Sequence, residues 1–200
     1  MVLVIGSTGQ CNERRLATQA APPKSEAMGS NLTKGVTMTC AMMKSLFGHK
    51  AWANAELFDV LETLPAGPDQ HTAIRTMNHI YVVDRIFQAH LLGQPHDYQG
   101  TNTTATPTLS ELRRAVTATD AWFQEYIASL DDGALAERLR FKFTDGDAGT
   151  MSREEMLMHV ITHGGYHRGN VGQILKNVSI APPRDLLTKF LHIADPDRRG

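Results

Sequence analysis

Two cysteines, Cys11 and Cys40, are all that the 200 residues contain, and both precede the first segment with clear helical periodicity. A disulfide framework is therefore excluded as the source of stability, and a reducing compartment, the cytoplasm, is the expected setting. An excess of charge is missing too, since 20 Lys and Arg against 21 Asp and Glu give a net charge of −1. With no basic field to hold nucleic acid or an anionic membrane surface, neither is expected as a partner. No apolar run approaches the roughly 20 residues that a bilayer span needs. Phosphate-binding loops are absent as well: MVLVIGSTGQ, residues 1–10, suggests a strand and a glycine turn but completes neither GxGxxG nor GxxxxGK[ST].

What is present falls into two parts. Residues 1–38 are small, polar and rich in helix breakers, and read as a flexible leader without the basic start and apolar centre of a secretory signal. Met28, Met38 and Met42 are alternative starts. Residues 39–200 read as one helical domain, long enough to bury a core. In the first helix Ala53, Leu57, Val60 and Leu64 recur at helical spacing until Pro65 and Gly67. The second runs from about Asp69 or Gln70 to Gly93. Leu109, Leu112, Val116, Thr119, Phe123, Tyr126 and Leu130 form the seam of a third, with Thr108 or Ser110 as its cap. A fourth opens at Ser152, with Glu154 and Glu155 near the positive end of its dipole. Between the third and fourth, Leu139, Phe141 and Phe143 alternate before Asp145-Gly146, as a short hairpin would. A last short helix is expected over residues 185–192. The fold class is all-α, a four-helix bundle with a short extended hairpin.

His163 and His167 stand four residues apart in the fourth helix, so about 100° of turn per residue places both imidazoles on one face. Met156, Val160, Val171 and Ile174 share that face, while Glu154, Arg168 and Lys176 fall toward solvent. His159 lies at its flank. In the second helix His79 shares its face with Val82, Val83 and Ile86, the pattern of a buried stripe. Three inward imidazoles would each need a partner, because an unpaired buried polar group costs on the order of 1–3 kcal/mol. One shared divalent cation serves all three. His49, His71, His90, His96 and His192 are read as ordinary histidines, His49 standing one turn before Ala53 where it would border the site.

The segments KAWAN, NHIYVVDRIF, TDGDAGTMSREEMLMHV and HVITHGGYHRGNVGQIL, spread over residues 42–176, resemble the DinB/YfiT-like, damage-inducible superfamily of metal-binding four-helix bundles. The resemblance implies that His79, His163 and His167 are the metal ligands, that the bundle runs up-up-down-down, and that the protein forms homodimers. It further implies a metal-dependent enzyme acting on small molecules, a thiol transferase using a low-molecular-weight thiol or a hydrolase. The alternative is a non-catalytic metal-binding stress-response protein. Zinc or nickel is expected before iron or manganese, although the ligand set itself does not separate them, since imidazole suits several metals. The glutamate of HExxH does not follow His163, so peptidase chemistry is not expected, and no Glu-x-x-His pair occurs anywhere, so a ferritin-like di-iron site fails. No residue is assigned as general base. Gly165, Gly169 and Gly172 gather opposite the histidine stripe, where each costs a helix about 1 kcal/mol relative to alanine. That cost predicts either close approach of another helix, in the chain or across a dimer, or a tolerated, slightly weak helix.

Overall fold

A computed structural model describes residues 39–200. The leader assigned to residues 1–38, with its strand, glycine turn and Cys11, lies outside the described residues. Four long helices make the bundle: α1 (Cys40–Leu61), α2 (Pro68–Leu92), α3 (Leu109–Ala128) and α5 (Arg153–Asn177). Between α3 and α5 come a single turn, α4 (Asp132–Leu135), and an antiparallel hairpin of β1 (Arg138–Lys142) and β2 (Ala148–Ser152). A short α6 (Leu187–Ala194) and a terminal 3₁₀ turn (Pro196–Arg199) follow. No helix among the described residues is long and apolar enough to cross a membrane.

Local chemistry fixes most of the boundaries. Thr108 and Ser152 each accept from the backbone N–H three residues on, while Glu111 and Glu155 reach back to the cap, giving two capping boxes. Pro68 occupies the first turn of α2, where its missing N–H costs nothing. Gly93 ends that helix at φ 64°, the left-handed conformation that glycine adopts without penalty.

The core consists of two apolar clusters. The starts of α1 and α5 meet the ends of α2 and α3 in one, through Met43, Phe47, Phe87, Phe123, Ile127 and Val160. The end of α1 and start of α2 meet the start of α3 and end of α5 in the other, through Leu57, Leu61, Met77, Leu112, Val116 and Val171. The long helices therefore run up, down, down, up, which corrects the expected up-up-down-down. Parallel α1 and α2 would require the connection to climb the 22 residues of α1, about 33 Å. Residues 62–67 span at most about 20 Å when fully extended, so the chain has to turn back at once. The one long crossover is residues 93–108, which runs back along α2. α1 and α2 each pack on α3 and α5 and face one another across the diagonal.

A buried polar layer separates the two clusters. Each long helix supplies one charged side chain: Lys50, Asp84, Asp120 and Arg168, all at most 6 % exposed. Lys50 Nζ reaches Asp84 Oδ2 at 2.7 Å and also pairs with Asp120. Asn54 Nδ2 donates to Asp120 Oδ2 at 2.8 Å, and Arg168 Nη1 donates to Asn54 Oδ1 at 3.4 Å. Arg168 was expected in solvent. Its guanidinium instead folds inward and pairs with Asp185 at 2.7 Å, a residue beyond the end of α5.

Candidate metal centre

α2 and α5 pack directly on one another, and this contact brings His79 to His163 and His167. One nitrogen from each ring lies within 4.8 Å of the others, and no fourth His, Cys, Asp or Glu among the described residues joins the group. Ring centroids are separated by 4.8 Å for His79–His163, 4.6 Å for His79–His167 and 4.5 Å for His163–His167. All three rings are half-buried.

The crossover fixes one of them. His79 Nδ1 lies 2.6 Å from the Thr101 carbonyl. A carbonyl only accepts, so Nδ1 carries the proton and Nε2 keeps its lone pair free. Asn78, next to His79 and 1 % exposed, holds that carbonyl in place by donating to Thr103 Oγ1 at 2.7 Å and to Asn102 Oδ1. Arg75 adds a bond to the Thr103 carbonyl at 2.6 Å, and Asn102 returns one to the Arg75 carbonyl at 3.0 Å. Thr101 and Asn78 were not assigned roles from sequence, because a backbone carbonyl in a loop leaves no residue signature. A ligand histidine oriented through its other nitrogen by a carbonyl is a recurrent feature of metal sites.

His79 Nε2 faces His163 Nε2 at 3.0 Å. Two imidazole ligands on one tetrahedral zinc at about 2.0–2.1 Å stand about 3.3 Å apart, so a small parting of the rings admits an ion. Burial pushes the His163 pKa down to about 3, helped by His167, His79, His159 and Lys50. Burial and then His79 push His167 down as well. Both rings are therefore neutral at pH 7, the form in which imidazole binds metal. His163 Nδ1 is buried without a hydrogen-bond partner among the described residues. The three histidines can hold a metal ion, and a cavity of about 290 Å³ opens beside His79 and His163.

The remaining histidines divide. His159, at the flank as expected, stacks on His163 with centroids 5.5 Å apart. His49 faces a different groove, where its Nε2 meets Asp185 Oδ1 at 3.0 Å and its ring lies against Trp52 and Phe190. His90 lines the cavity beside the cluster, which its sequence context did not indicate. The glycine face also differs from expectation. A Cβ at Gly169 would meet nothing within 4 Å, one at Gly165 only Arg168 of the same helix, and one at Gly172 only Pro182. Among the described residues no helix packs there, and the three glycines line an open groove floored by α1 and the 182–185 segment. Within α5 it is Gly164 that other helices approach, since a Cβ there would lie 3.8 Å from Lys50 and 3.9 Å from Ile80.

A four-helix bundle with three convergent histidines on two of its helices is the class these observations define. The chain belongs to the DinB family, whose model matches residues 32–199. Its fold is similar to that of a DinB-like protein from Bacillus cereus ATCC 10987 known from a crystal structure, with a TM-score of 0.57 and 17% identity. The likeness covers 74% of this chain and 98% of that one, and it concerns the fold alone. No curated protein matches the chain.

Proposed function

We propose that His79, His163 and His167 bind one divalent metal ion, zinc or nickel before iron or manganese, and that the protein is a metal-dependent enzyme acting on small molecules. The observation that carries this reading is the convergence of three nitrogens within 4.8 Å with no fourth ligand in the group among the described residues. Three ligands with a coordination position to spare are the pattern of catalytic sites, whereas structural sites are closed by a fourth. When bound, such an ion acts as a Lewis acid that lowers the pKa of a thiol or water it holds. The chain's own residues prepare the place: burial keeps His163 and His167 neutral, and the Thr101 carbonyl fixes the His79 tautomer. Three neutral ligands leave the ion's double charge uncompensated, which favours an anionic sulfur or oxygen in the open position. On this reading the reaction is thiol transfer with a low-molecular-weight thiol, or hydrolysis, carried out by a cytoplasmic homodimer.

Elemental analysis of protein purified without a histidine tag tests the metal reading. The parent is expected to carry close to one equivalent, and His79→Ala and His167→Ala to lose most of it. Equal metal in all three would reject the assignment. Thiol-transfer and ester-hydrolysis assays on the loaded protein then separate an enzyme from a non-catalytic metal-binding stress-response protein, which would hold the ion without turnover.

A further inference from the structure

The cavity beside the three histidines has a wall that metal binding does not use. Rings follow one another along it: His163 to His159 at 5.5 Å between centroids, His159 to Phe87 at 4.5 Å, and Phe87 to His90 at 5.8 Å. The row continues into the hairpin through Phe141, 4.6 Å from His90 and behind the cavity lining, to Phe143, 4.8 Å further, which lines it. Gly149 permits those last two positions. It pairs with Phe141 across the hairpin, and a Cβ there would come within 2.6 Å of Phe141 and 2.9 Å of Phe143. Val83 and Ile86 complete the lining with aliphatic surface.

His90 stands at the far end of this wall from the histidine cluster. It is only 7 % exposed and lines the cavity, yet neither ring nitrogen makes a hydrogen bond among the described residues. Its nitrogens are not among the fully buried unpartnered atoms, so they stay accessible, and an occupant of the cavity can take the place of water as their partner. Two rings separate it from His163, so it meets the end of an occupant remote from the histidine cluster. The volume of about 290 Å³ is roughly twice the 150 Å³ that accommodates benzene. That leaves room for one ring and its substituents. Flat faces along the wall favour a flat occupant, since stacked and edge-on rings gain beyond simple area burial.

We propose that this cavity binds a small ligand with a single aromatic ring, its head at the histidine cluster and a hydroxyl or similar polar substituent hydrogen-bonded to His90. The position of the head rests on the metal reading, but the ring and its contact with His90 do not. The test therefore uses the metal-free full chain, titrated with phenol, toluene and cyclohexanol and followed by amide chemical shifts. Saturable shifts are expected around residues 83–90 and at 143–144. Phenol should bind about fivefold more tightly than toluene, the value of one neutral hydrogen bond, and more tightly than cyclohexanol. His90→Phe should erase the preference of phenol over toluene. Thr144→Trp, at the exposed hairpin tip, should weaken all three probes without touching the core.

Absence of saturable shifts, no preference for phenol in the parent, or a preference that survives His90→Phe would overturn the proposal. So would cyclohexanol matching phenol, or binding to Thr144→Trp as tight as to the parent. Zinc content measured on the same preparations after reloading keeps the two readings apart. Retained zinc with failed phenol binding defeats the aromatic pocket alone, and lost zinc with intact phenol binding defeats the metal site alone.

Discussion

Lys50 sits 1 % exposed between two carboxylates, in the middle of the bundle. Burial opposes its charge, but Asp84 and Asp120 outweigh that and push its pKa up. Burial pushes Asp84 up to about 6 against the pull of Lys50. Removing one member of such a group leaves the others uncompensated, at a cost of about 3–5 kcal/mol. Lys50→Met is expected to destabilise the protein by an amount of that order in urea denaturation, and Lys50→Arg by less. None of this cluster was singled out from sequence. A helical wheel gives the direction of a Cβ, whereas Arg168 reaches its partners by curling a long side chain toward Asp185 and Asn54. The three histidines were legible because short side chains go where the wheel sends them and because their stripes were otherwise apolar. His90 was not, since its apolar neighbours on the hairpin, Phe141 and Phe143, lie some fifty residues away in sequence.

At the level of elements, starts and stops were the most readable features, because caps are local. Thr108, Ser152 and Gly93 each act through atoms within a few residues. The hairpin was equally readable from alternation ending at Asp145-Gly146, and Gly146 does adopt φ 96°. Helix direction was not local information. It followed from the length of the 62–67 connection, which rules out the parallel arrangement that the resemblance implied. The glycine face obeys a related rule: the energetic cost of glycine points to packing, yet among the described residues of one chain the space beyond Gly169 is open. Gly169→Ala is therefore expected to stabilise the monomer by up to about 1 kcal/mol through helix propensity. Thermal or urea unfolding reads this directly, and a loss of stability would show that a partner needs the space.

For the molecule as a whole, the buried histidines set the response to acid. Burial first, and His96 second, push His90 down to about 4 from an ordinary 6.5, while His163 falls to about 3. His159 and His167 shift the same way, His159 through burial. These rings stay neutral in the fold while the unfolded chain takes up protons. Stability is thus fully present above about pH 6.5 and is lost as the pH falls toward 4, with a slope of at most about 1.4 kcal/mol per pH unit for each ring. Asp84, raised to about 6, runs the other way but is a single group. Burial would raise Asp185, yet hydrogen bonds from His49 and Arg168 hold it at about 2, so its contribution disappears only below its ordinary 3.8. Urea midpoints of the metal-free protein should fall between pH 7 and 4, and His90→Phe should flatten part of that slope. The bundle was recognisable from four stretches of helical periodicity, and its family from the segments KAWAN, NHIYVVDRIF, TDGDAGTMSREEMLMHV and HVITHGGYHRGNVGQIL. The polar layer at mid-height has one more consequence. Every long helix commits an ionic group to the same plane, with hydrocarbon above and below it. Sliding any one helix by a turn, about 5.4 Å, would strand its charge among aliphatic side chains, so the plane works as a detent that admits one axial alignment and penalises its neighbours.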